Sequence, residues 1–172
     1  MDAMTVKKRK GAAKTLKAAR RIATAAGWKR TVKVWAIGNP IQWHLESSLI
    51  DPQTNYLLFN KTKDQMPKRD YYVVDFSLQD HSGLNLRFKP NPMKAFAVAV
   101  GGSQPPPPPC PSTGSYSDSI YAICCDQDGN TLTIRNDDMN VEYFSFALYF
   151  DSDAGEQRCD PGGNNQNGNY IV

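Results

Sequence analysis

Two histidines, four cysteines and several paired aspartates are the side chains in this 172-residue sequence best suited to chemistry. Nucleophilic catalysis needs a base within hydrogen-bond reach of a nucleophile, and donors for the developing negative charge. His81 sits in "QDHSGL", between Asp80 and Ser82. Neighbours in sequence rarely form a triad, because the three groups must converge from separate elements. The expectation for His81 is therefore an exposed turn histidine. His44, inside a candidate strand, is expected to pack or to face solvent. No G-x-S-x-G elbow, H-E-x-x-H pair or phosphate-binding glycine loop is written in the chain. The expectation is a protein that is not an enzyme, with no catalytic residue to name.

Metal chemistry has one candidate. Asp126 and Asp128 fall in "DQDGN", and hard cations favour clustered carboxylate oxygens. The stretch lacks the EF-hand register, which places glycine sixth and glutamate twelfth; here Gly129 is fourth and Asp137 twelfth. A hairpin turn explains Asp and Gly equally well. No cofactor is expected, with calcium on Asp126 and Asp128 as the exception to test. The paired acids Asp137–Asp138 and Asp151–Asp153 would join it only if their loops gather at one end of the fold. The cysteines Cys110, Cys124, Cys125 and Cys159 match no zinc spacing. Adjacent Cys124 and Cys125 would point to opposite faces of a strand. A Cys110–Cys159 bridge cannot be read from the sequence. Exposed aromatics offer a third kind of site, for sugar or protein, with Trp43, Tyr71, Tyr121 and Tyr143 as candidates. Most strand aromatics, however, are packing residues.

Charge is the strongest signal. Residues 1–33 carry 11 of the 20 Lys and Arg and a single acid, Asp2, a net of about +10. The rest of the chain carries 9 basic and 16 acidic side chains, about −7. The contact residues expected for a polyanion or an acidic partner are Lys7, Lys8, Arg9, Lys10, Lys14, Lys17, Arg20 and Arg21. Such a segment attracts nucleic acid through counterion release. The acidic remainder would repel the same polyanion, which favours an acidic protein surface, including that of a second copy. Leu16, Ala19, Ile22, Ala23 and Ala26 recur at near-helical spacing, so the arm reads as helical or disordered.

The elements that must position these residues start near Thr31. "TVKVWAI" reads as a strand closed by Gly38-Asn39-Pro40, "IQWHLESSLI" as a strand with Ile41, Trp43 and Leu45 on one face in preference to a short helix, and "NYLLFNK" as a short strand after an Asp51-Pro52 turn. "DYYVVDFSLQD" puts Tyr72, Val74, Phe76 and Leu78 on one face at a period of two. "LNLRF", "AFAVAVG", "SIYAICC", "TLTIRN" and "VEYFSFALYF" continue the series, the last with Phe144, Phe146, Leu148 and Phe150 on its apolar face. "DQDGN" joins two of them as a hairpin. Residues 101–114, with five consecutive prolines, read as an extended surface loop. No internal helix is predicted, and the stretch after Asp151 reads as a polar tail ending in "NYIV".

Short strands with frequent turns predict an all-β, antiparallel β-sandwich, immunoglobulin-like or jelly-roll-like. The division is a basic arm over 1–30 and a sandwich domain over 31–172. The function expected is a non-enzymatic binding or assembly module whose arm contacts an acidic protein surface. Protein partners or self-association are expected. A nucleic-acid-associated protein is the alternative, and a calcium-dependent, lectin-like domain is the further one. No run of eighteen apolar residues and no apolar signal-peptide core occur. A cytoplasmic protein with reduced thiols is the expectation, without a transmembrane segment and without peripheral membrane contact.

Overall fold

The fold comes from a computed structural model that describes residues 28–101, 117–138, 142–160 and 162–166. Alternation of apolar and polar residues fixes which face of each strand is buried. β1 (Lys29–Ile37) turns Val32, Val34 and Ala36 inward, all with no exposure. β2 (Gln42–Glu46) alternates exposed and half-buried residues, with Trp43 and Leu45 against the core. β3 is Leu57–Asn60, β4 Tyr72–His81 and β5 only Arg87–Phe88. A four-residue helix α1 (Pro92–Ala95) leads into β6 (Phe96–Gly101). β7 (Ile120–Cys125), β8 (Thr131–Asn136), β9 (Glu142–Asp151), β10 (Gln157–Cys159) and β11 (Gly162–Gln166) complete the order.

The strands make two sheets. The first runs β2-β1-β4-β8-β7. In the second, β9 is the axis. β10 and β11 pair with it along one edge, β5 and β6 also pair with it, and β3 closes on β11. Aromatic rings join the two sheets into one core. Phe76 of β4 meets Phe146 of β9 at 5.5 Å between centroids, and Phe59 of β3 meets Tyr72 of β4 edge-on at 5.0 Å. Burial of each such ring contributes about 1.5–3 kcal/mol. The opposite face of β6 and β9 holds a smaller buried cluster, Ala97, Ala147 and Tyr149.

Both sheets are mixed, which corrects the all-antiparallel expectation. β1 pairs parallel with β4, Val32 opposite Phe76, and β11 pairs parallel with β3. Side-chain alternation carries no information on strand direction. The chain leaves the first sheet for β3 of the second, and re-enters beside β1 running the same way. A parallel pair needs a long crossover of this kind. The short helix α1 was not expected either. Asn91 caps it, its side chain accepting from the Met93 N–H at 3.0 Å, and Pro92 occupies the first turn, where a missing N–H costs nothing. "LNLRF" gives a strand only at Arg87–Phe88, because the Asp80 carboxylate gathers Ser82 and the Leu86 N–H into a turn. β10 and β11 occupy the stretch read as a polar tail. The "NYIV" end, residues 102–116 of the proline-rich loop and residues 1–27 of the arm lie outside the described residues.

Candidate functional site

The first sheet ends at β2 and the second at β10, and between these two edges opens a cleft of about 560 Å³. That size is within the range of ligand-binding clefts. Trp43, His44 and Leu45 line it from β2, Arg158 and Cys159 from β10 with Asp160 just beyond it, and Thr54, Asn55 and Tyr56 from the connecting loop. The Trp43 ring stacks on Phe150 at 5.1 Å and 19°, and Phe150 leans on Phe88 at 4.5 Å. The aromatic floor is thereby continuous with the core.

The loop wall is built around Asp51. Its carboxylate accepts from the Gln53 N–H at 3.1 Å and from Thr54 Oγ1 at 2.9 Å. Its backbone N–H donates to the Tyr56 carbonyl at 2.9 Å, and the Asn55 N–H returns to the Asp51 carbonyl at 2.8 Å. Asn55 takes φ +60°, a left-handed conformation that Asn tolerates. On the opposite wall Arg158 Nε donates to Asp160 Oδ1 at 2.5 Å, and its guanidinium lies 5.7 Å from the Tyr149 ring centre. Cys159, opposite Leu148 in the β9–β10 ladder, is buried. An aromatic and aliphatic floor with hydroxyl, amide, guanidinium and carboxylate groups at the rim can hold a polar ligand by one apolar face.

His81, expected as an exposed turn histidine, is exposed but is the last residue of strand β4. Ser82 Oγ donates to Asp80 Oδ1 at 2.6 Å, and His81 stacks on Trp35 at 5.3 Å and 21°. The Asp80 carboxyl lies below its ordinary value. Desolvation, the largest influence, acts upward, and bonds from Ser82 and the Leu86 N–H outweigh it. His44 stands across from Trp35 in the β1–β2 ladder, so both histidines flank one tryptophan. Glu46, accepting from Lys33 and from Trp35 Nε1, is held below its usual range.

Asp126 and Asp128 occupy the β7–β8 turn. Asp126 Oδ1 accepts from the Asn130 N–H at 2.7 Å and the Thr131 N–H at 3.0 Å, the geometry of a hairpin turn. Asp137 pairs with Arg135, and Asp151 with Lys89, which also reaches Glu156. Among the described residues no group of three His, Cys, Asp or Glu is arranged to hold a metal. Tyr71 is buried beneath Arg135, 3.7 Å from guanidinium to ring centre, with Tyr121 at 5.9 Å from the same group. Tyr143 is half-buried in β9. Cys125 is half-buried and its thiol is pushed up to about 11, mainly by desolvation. The eight arm cations and Cys110 lie outside the described residues.

Of the aromatic candidates, then, the cleft takes Trp43 alone. Tyr56, Thr54, Asn55, Arg158 and Asp160 were not singled out from the sequence. Only the Asp51-Pro52 turn signal hinted that this loop presents side chains.

A second concentration of charge ties down the start of β1. Trp28 Nε1 donates to Asp70 at 2.6 Å, Arg30 stands 3.8 Å from Asp64, and Tyr72 donates its hydroxyl to Asp64 at 2.5 Å. Burial and the neighbouring Asp64 push the Tyr72 phenol above its ordinary range. Lys61, 2% exposed, donates to the Lys68 carbonyl at 2.8 Å. Burial pulls its ammonium below the usual value, against the fields of Asp138, Asp137 and Asp70.

No helix among the described residues is long and apolar enough to cross a membrane. No protein-family model matches the chain, and no curated protein shows significant similarity to it.

Proposed function

We propose that this protein is a non-enzymatic β-sandwich module, immunoglobulin-like or jelly-roll-like in type, that binds or assembles with protein partners. The cleft between the β2 and β10 edges supports this reading. It has a firm aromatic floor and a polar rim, the construction of a recognition site. The basic arm supplies a second contact, to an acidic protein surface. The charge split of the chain supports that half.

The arm's role is tested by binding of the full-length protein to immobilised polyglutamate and to duplex DNA, at about 50 and 500 mM salt. A full-length variant with all eight arm cations replaced by Gln runs in parallel. Polyglutamate binding that weakens with salt and vanishes in the variant is expected. Binding to DNA alone would transfer the assignment to a nucleic-acid protein. Binding to neither would remove the arm from the function.

A further inference from the structure

Edge strands present unpaired N–H and C=O groups, and most proteins blunt them with bulges, prolines, lysines or a covering segment. The first sheet has two edges that differ in this respect. β7 carries a register shift against β8 between Ala122 and Cys124, a bulge that bends the edge strand. β2 runs straight over Gln42–Glu46, with no Pro, Lys or bulge. Among the described residues, no segment other than β1 shares a backbone hydrogen bond with it. In the second sheet β10 and β3 are shorter, at three and four residues, while the six-residue β6, with its exposed Val100, pairs among the described residues only with β9.

The β2 sequence is self-complementary. In an antiparallel pairing of two copies, directly opposed residues share a face, and a slip of one residue would set apolar against polar. The register that uses all five residues is centred on His44. It places Gln42 opposite Glu46 of the second copy, and Trp43 opposite Leu45 of the second copy, each pair occurring twice. Trp43 and Leu45 are only half-buried in the single chain, so the pairing covers apolar surface that the fold leaves open. Gln42, His44 and Glu46 are exposed on the outer face, and Glu46 is already drawn back by Lys33 at 3.3 Å and Trp35 at 3.0 Å.

We propose that β2 is the seam of a two-fold dimer, joining the first sheets of two copies into one continuous sheet across His44. The proposal rests on the assembly half of the function argued above. It is the strand-addition mode of recognition, with a second copy as the added strand. Because β2 also lines the cleft, the seam brings two clefts side by side. A five-residue ladder is a small contact of the weak, transient class, so association is read at roughly tens of micromolar and above.

The test is sedimentation equilibrium on full-length protein carrying Gln42→Lys or Gln42→Glu, each at an exposed position where the fold is indifferent to charge. Lys at position 42 faces Glu46 of the second copy and should tighten the dimer. Glu at position 42 faces a like charge and should loosen it. Two such pairs per dimer predict a change of about 2- to 30-fold in Kd in each direction. His44→Lys, which sets two cations against each other at the axis, should loosen it as well. Circular dichroism confirms that each variant is folded. A wild-type protein that is monomeric up to about 500 µM, far above the weak-complex range, overturns the proposal. So does a dimer whose Kd is the same in both Gln42 variants. If association instead vanishes on neutralising the arm and ignores Gln42, the assembly reading stands and the β2 seam falls.

Discussion

Single side chains carry much of the stability in a small two-sheet fold, and Lys61 is a clear case. It is almost fully buried, feels three aspartates and reaches the Lys68 carbonyl. Removing one partner from a buried charge cluster costs about 3–5 kcal/mol, because the opposite charge stays buried. Lys61→Met should lower the stability measured by urea denaturation by that amount, and a loss under 1 kcal/mol would contradict the cluster's role. Asp80 gives a pH signature. Its carboxyl lies below the ordinary value when folded, so its stabilisation is present above the unfolded value, near 3.9, and is lost as pH falls through the folded value. The stability gap between wild type and Asp80→Asn should therefore be larger at pH 5 than at pH 2.5. An equal gap at both would show that ionisation of Asp80 is irrelevant to the turn. At this scale sequence reasoning did well where a side chain serves its own neighbourhood, as in the Asp126 turn. It did poorly where the partner is remote, as for Trp43 on Phe150 or Lys61 near Asp138.

Turns fix how the elements meet. Gly129 closes the β7–β8 hairpin with φ +71°, and a Cβ there would stand 2.7 Å from Cβ of Arg87 and 3.4 Å from its Cα. The neighbouring Phe88 N–H also donates to the Gly129 carbonyl at 2.8 Å. Gly129→Ala thus strains the backbone and pushes β5 off the hairpin. A loss of about 1–3 kcal/mol in urea denaturation is expected, and a neutral effect would mean that β5 does not depend on this contact. The apolar pattern placed most strands: β1 to β4 and β6 to β9 stand on the stretches read as strands, most sharply where alternation is strong, as in β4 and β8. β10 and β11 could not be read, since "QRC" and "GGNNQ" have no strand preference and pair through the backbone of β9. Strand direction was equally hidden, because a parallel β1–β4 pair leaves the same alternation as an antiparallel one.

For the whole molecule, the cleft explains why so little of the candidate site was legible. Its walls come from positions 43–45, 54–56 and 158–160, which meet only because β2 and β10 end their sheets side by side. No local motif encodes that meeting. The charge split, by contrast, is plain in the sequence and gives the account its central claim, assembly through the arm and the sheet edge together. Sedimentation velocity tests it most directly, on the full-length protein and on the variant with Lys7, Lys8, Arg9, Lys10, Lys14, Lys17, Arg20 and Arg21 replaced by Gln, at about 50 and 500 mM salt. The account predicts a dimer in every sample at high protein concentration, with larger species only for the intact arm at low salt. A single monomeric species under all four conditions would contradict it.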